Sequence, residues 1–129
     1  MRIDVKNRGM DYHAEASSGM VQDIVFGPDK PAEDRSMNPV ELFVSGLCMC
    51  VAAMLRKFCR EHELDAGEIK VWAETDWEPG KPMCSYLDVK LSVEGDWDER
   101  RKKAFLKVAE TCPVHMTMSE CDEVSIEIV

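Results

Sequence analysis

Hydrophobic and polar positions divide the chain into stretches of two different periods. Residues 2–7 alternate, with Ile3 and Val5 facing one way and Asp4 and Lys6 the other. Tyr12, Ala14 and Ala16 alternate against Asp11, His13 and Glu15, and residues 20–26 follow a Ser17-Ser18-Gly19 turn. Period-two alternation broken by turn residues predicts three strands in a meander. Residues 27–37 hold Pro28, Pro31 and mixed charge without a period, which predicts a loop.

The pattern then changes. Residues 38–63 form the longest apolar stretch, and its start is written plainly: Asn38 suits an N-cap, Pro39 the first helical position, and Glu41 the third place of a capping box. From Leu42 to Leu55 the residues are apolar or small on every side, so the expected helix has no solvent face and must be buried all round. Arg56, Lys57 and Arg60 close it before the ~20 apolar residues that a bilayer span needs. Asp65-Ala66-Gly67 ends it.

Residues 69–77 and 86–93 read as strands around a Glu78-Pro79-Gly80-Lys81-Pro82 turn, the second with Leu87, Val89, Leu91 and Val93 on one face. Asp96 and Glu99 form a second capping box, opening a helix with an apolar stripe of Trp97, Ala104, Phe105 and Val108 that ends near Thr111. Cys112-Pro113-Val114-His115 restarts a helix, with proline at the first helical position. Val124, Ile126 and Ile128 alternate in a closing strand over residues 123–129. The order βββ–α–ββ–α–α–β predicts one α+β domain over residues 1–129, with about six strands in mixed or antiparallel sheets and a long buried central helix. So few strands cover only one face of that helix. A second copy of the chain is the simplest cover for the rest, which predicts a homodimer.

Composition narrows the function. A net charge of −9 argues against nucleic acid, since a duplex binder needs a basic surface. Met1 leads straight into a charged, alternating stretch, which predicts no signal peptide, no membrane association and a cytoplasmic location. Six cysteines then read as reduced thiols. Cys48 and Cys50, two residues apart on a helix, diverge by roughly 200° and cannot bridge.

Among the thiols, Cys112 stands where a helix N-terminus favours thiolate, with His115 one turn on. Alternatively it is a packing cysteine before a helix-starting proline. Cys50 lies mid-helix, so its activation needs a charged partner, and plain core packing is the competing account. Cys48 and Cys59 read as packing residues, and Cys84 and Cys121 carry no assigned role. Cys112-x-x-His115 has zinc-ligand spacing, with Cys48, Cys50 or Cys121 as further ligands, but no CxxC pair accompanies it. His13 and His62 are isolated. Met49, Met54, Met116 and Met118 flank the two key cysteines and suit either an apolar pocket or adaptable core filling.

An Asn-Pro-x-Glu-Leu helix start, a small-residue helix with a mid-helix cysteine and a later Cys-Pro-Val-His together resemble the OsmC/Ohr family, the osmotically induced and organic-hydroperoxide-resistance proteins. The resemblance covers essentially the whole chain and implies an intertwined homodimer acting as a cysteine-based peroxidase on small organic hydroperoxides. It implies that Cys50 attacks the peroxide and becomes a sulfenic acid, and that Cys112 resolves it to a disulfide. An external dithiol reduces that disulfide, with no bound cofactor and no metal. Met49, Met54, His115 and Met116 would line the substrate pocket.

Two positions depart from the family pattern. Peroxidase members carry an arginine after the second strand, where this chain has Ser17-Ser18-Gly19-Met20; Arg35 is the nearest substitute. The glutamate expected right after the helix-starting proline is Val40 here, with Glu41 one place on. Nine residues of helix set Glu41 roughly 13.5 Å from Cys50 and half a turn around. Glu41 therefore serves the other subunit's site or caps its own helix. The competing functions are a non-catalytic dimer that binds a small ligand in its apolar pocket, and a structural zinc site at Cys112 and His115.

Overall fold

A computed structural model describes residues 1–9 and 11–129. The chain divides into two compact units, Met1–Phe43 and Val44–Val129, the boundary falling in the first turns of the longest helix.

In the first unit, β1 (Ile3–Arg8), β2 (Asp11–Ala16) and β3 (Val21–Val25) form the expected antiparallel meander. Its register sets Val5 opposite Ala14 and Ala14 opposite Gln22. The β2–β3 turn closes through the Gly19 amide donating to the Ala16 carbonyl at 2.8 Å, with Gly19 at φ 84, where glycine carries no Cβ penalty. Tyr12 stacks on Phe26 at 4.7 Å. The loop that follows contains a single 3-10 turn, Ala32–Asp34.

The long helix α1 (Pro39–Glu61) starts at the expected cap. The Glu41 amide donates to Asn38 Oδ1 at 2.9 Å and the Asn38 amide to Glu41 Oε2 at 2.8 Å, a reciprocal capping box. The helix ends at Glu61, two residues early, because Glu63 turns left-handed at φ 51 and the Leu64 amide reaches back to the Cys59 carbonyl. Arg56 then donates to the Ala66 and Gly67 carbonyls, at 3.1 and 2.7 Å, and secures the exit.

In the second unit the core is a stripe rather than a sheath. Leu47, Val51, Leu55 and Cys59 recur every four residues on α1 and pack with Phe105, Ala109 and Cys112. The inward faces of β4 (Ile69–Thr75) and β5 (Leu87–Val93) close over that cluster. Within the single chain the other faces of the helix stay open, as expected: Met49 is 62% exposed, and Ala53 is exposed as well. A two-stranded sheet and two short helices have too little surface to wrap it. By length and composition alone α1 could also cross a bilayer, yet its most apolar stripe is spent on this core.

β4 and β5 pair antiparallel, Ile69 opposite Val93 and Thr75 opposite Leu87. β4 stops short of Trp77 because Asp76 is drawn into the connecting loop. Its carboxylate accepts from the Ser85 amide at 2.8 Å and from the Lys81 ammonium, and the Trp77 indole donates to the Lys81 carbonyl.

α2 (Glu99–Glu110) is capped by Asp98, whose Oδ1 accepts from the Arg101 amide at 2.8 Å, and not by Asp96. Trp97 explains the displacement. Its indole donates to the Val93 carbonyl and its ring sits over Gly95, where a Cβ would lie 2.5 Å from a ring carbon, so residues 95–97 stay outside the helix. The same ring meets Phe105 edge-on at 5.3 Å. α3 (Pro113–Glu120) restarts where Pro113 predicts it.

The closing strand does not form. Residues 122–129 belong to no helix or strand, with Val124, Ile126 and Ile128 at 87%, 96% and 100% exposure. Among the described residues there are five strands, in sheets of three and two, rather than about six. Alternation states which face of a segment is apolar, but a strand exists only where an edge receives it.

The Lys81 ammonium, followed by the Ser85 amide, holds the Asp76 carboxyl well below the usual carboxylate range. A depressed carboxyl stabilises the fold above its unfolded value and loses that contribution as pH falls through its folded one. Asp76→Asn should therefore lower the melting temperature at pH 7. The gap from the parent protein should close as pH falls below about 4, as a pair of calorimetric pH series will show.

Candidate active site

Two elements of the second unit bring the chemistry together. Cys50 sits in the middle of α1, one residue before the buried Val51 and so at the edge of the core stripe, where it is half-buried. Cys112 stands between α2 and α3, fully buried, its amide donating to the Ala109 carbonyl at 3.2 Å. The junction is only Thr111 and Cys112, so α2's packing on α1 also sets where α3 begins. This sets Cys50 against the core cluster that contains Cys112.

This arrangement revises the expectation that the helix end activates Cys112. Cys112 is the N-cap of α3, but its side chain makes no capping hydrogen bond; its carbonyl accepts from the Met116 amide at 2.9 Å. Pro113 has no N–H to give. The first N–H of α3 is therefore that of Val114. Burial is the largest influence on Cys50 and pushes its thiol up; contact with Cys112 acts the same way, and the Val114 amide pulls against them. Burial likewise pushes the Cys48 thiol up.

His115 is turned away from the sulfurs. Its Nδ1 lies 2.9 Å from the Glu110 carbonyl, and a carbonyl only accepts, so Nδ1 carries the proton. Among the described residues no three His, Cys, Asp or Glu side chains converge, which leaves a zinc ion at Cys112 and His115 without a third protein ligand.

The other expected residues have partners or surroundings of their own. Arg35 donates to the Lys30 carbonyl at 2.6 Å and the Pro28 carbonyl at 3.2 Å, within the first unit. Glu41 is engaged in the capping box of the same unit. Met49 faces a shallow groove between α1 and β4, beside Cys48. Met54 packs on the core, and Met116 is exposed on α3. His115 and Met118 instead line an apolar cavity of about 380 Å³ between α1, β5, α2 and α3, together with Leu47, Val51 and Leu106. Neither Cys50 nor Cys112 reaches it.

What the sequence could not announce is the Val114 amide. A main-chain donor has no residue type to advertise it, and the one available signal was Pro113, which makes its successor the first free N–H of the helix.

A family model described as OsmC-like protein matches residues 31–127. An uncharacterized protein of Methanocaldococcus jannaschii is 27% identical over 115 residues, covering 87% of this chain and 54% of its own, so the chain spans about half the length of that curated relative. Among solved structures, an OsmC-like protein from Mycoplasma pneumoniae superposes with a TM-score of 0.69 at 15% identity, over 93% of this chain and 89% of that one. The organic hydroperoxide resistance protein OhrB of Bacillus subtilis gives 0.53 at 21% identity, over 93% of each chain. At these identities the likeness is one of fold.

The exposures order the thiols. Native alkylation followed by peptide mapping should label the exposed Cys121 first and reach Cys59 and Cys112 only after denaturant is added.

Proposed function

Because this chain belongs to the OsmC-like protein family, we propose that it is a thiol peroxidase reducing small organic hydroperoxides through Cys50 and Cys112. The observation that carries this reading is the packing of Cys50 against the core cluster that contains Cys112, two cysteines far apart in sequence. The Cys50 thiolate attacks the terminal oxygen of R–O–OH; the O–O bond breaks, the sulfur becomes S–OH, and the alkoxide leaves and takes a proton as R–OH. The Cys112 sulfur then attacks the sulfenic sulfur, displaces its oxygen as water and forms the disulfide. A soluble dithiol returns two electrons and two protons, and a reducing cytoplasm supplies it. In this reading Cys50 and Cys112 supply all the sulfur chemistry, and no bound cofactor or metal takes part.

The working unit in this proposal is a homodimer. Ile3, Val5 and Val21 on the meander and Met49 on α1 are each more than half exposed, apolar surface that a second copy would cover. Light scattering at micromolar concentration should give twice the chain mass of 14.6 kDa.

A second reading has its own support. The cavity of about 380 Å³ is apolar and is lined by neither key cysteine, as suits a non-catalytic small-ligand binder. One equivalent of cumene hydroperoxide separates the two. Mass spectrometry should find a Cys50–Cys112 disulfide, and Cys50→Ser should abolish turnover; intact thiols after treatment would overturn the peroxidase reading. Because burial holds Cys50 in its thiol form, the reaction rate should climb with pH through 7 to 9, without a plateau below the ordinary thiol value of about 8.5.

A further inference from the structure

The cavity between α1, β5, α2 and α3 stands outside the proposed thiol chemistry, and its walls change in character from floor to mouth. Leu47, Val51 and Ala109 form a buried apolar floor. Leu47 and Val51 belong to the core stripe of α1, whereas Met49, which the proposed homodimer would cover, lies roughly 200° around the helix from Leu47. The polar side chains gather toward solvent, where Glu110 and Ser119 are exposed and His115 is half-buried. At about 380 Å³ the space falls within the ordinary range of small-ligand pockets, roughly 300–1,000 Å³.

The hydrogen bonds already made decide what this mouth can offer. His115 Nδ1 donates to the Glu110 carbonyl at 2.9 Å, so in the neutral ring Nε2 is an acceptor. The Ser119 hydroxyl gives its single proton to the His115 carbonyl at 2.8 Å. The Glu110 carboxylate only accepts. The three polar side chains therefore present acceptors and no donor.

We propose that the cavity binds a neutral medium-chain alcohol, its chain against the Leu47–Val51 floor and its O–H donating to His115 Nε2. The inference rests on the second reading's premise that the cavity takes a ligand, and it is independent of what the thiols do. A ketone of equal length would set an acceptor against an acceptor, and a carboxylate would add repulsion from Glu110. An ammonium could donate, but a hydroxyl brings a donor to a half-buried position at a far smaller desolvation cost.

The test compares n-octanol, methyl hexyl ketone and octanoate on the reduced protein, in mildly alkaline buffer where imidazoles are neutral. Calorimetry reads the affinity, and the Met118 methyl resonance locates the binding, since Met118 lines the cavity. Octanol should bind roughly tenfold tighter than the ketone, with octanoate the weakest of the three. His115→Phe keeps a ring and removes the acceptor; octanol should then weaken about tenfold and match the ketone. Leu106→Trp, at the exposed side of the cavity, should weaken all three by filling it. Equal binding of octanol and ketone to the parent protein overturns the proposal while leaving the cavity a ligand site of other selectivity. Octanol binding that is unchanged in a folded His115→Phe does the same. Should that variant fail to fold by circular dichroism, the parent comparison decides alone. No methyl shift with any of the three ligands overturns the proposal and the ligand-binding reading together. No arm uses a hydroperoxide, so the peroxidase reading is judged separately.

Discussion

The second unit depends on one packing relation, the seating of α2 on a single stripe of α1. Leu47, Val51, Leu55 and Cys59 meet Phe105, Ala109 and Cys112, and the aromatic contacts of Phe105 with Phe58 and Trp97 fix the angle of approach. Everything chemical follows from that relation. The two-residue link after α2 leaves α3 no freedom to start elsewhere, so its capping cysteine arrives in the cluster on which Cys50 packs. A change at Phe105 would thus disturb the thiol pair without touching either sulfur. Burying such a ring is worth about 1.5–3 kcal/mol, a large part of a small unit's margin.

Burial and reactivity pull in opposite directions at this site. Setting Cys50 against the core stripe brings it to the cluster that contains Cys112, and the same placement raises the cost of its charge.

Local signals with a fixed chemical meaning were legible in the amino-acid sequence. Asn38 with Glu41, Pro113, and the alternation of Leu87, Val89, Leu91 and Val93 each mark a feature that the structure contains. The failures share a cause: pattern reports which faces are apolar and is silent on what covers them. Residues 123–129 alternate as a strand would, yet no edge receives them. Asp96 and Asp98 both offer an N-cap, and the choice was made by Trp97 folding over Gly95, a contact no spacing rule contains. At the site, both cysteines could be named from the chain, while the first N–H of α3 has no side-chain signature.

The pairing proposed for Cys50 and Cys112 has a consequence for the endurance of the fold. A bond between these sulfurs would close a loop of about sixty residues, spanning nearly the whole of the second unit, and chain-entropy arguments value such a closure at roughly 4 kcal/mol. That is comparable to the entire stability of many small domains. Oxidation would then do more than record a turnover. It would convert the unit from a fold held by one helical stripe into one held by a covalent brace, so that the peroxide level outside the protein would set how readily it unfolds.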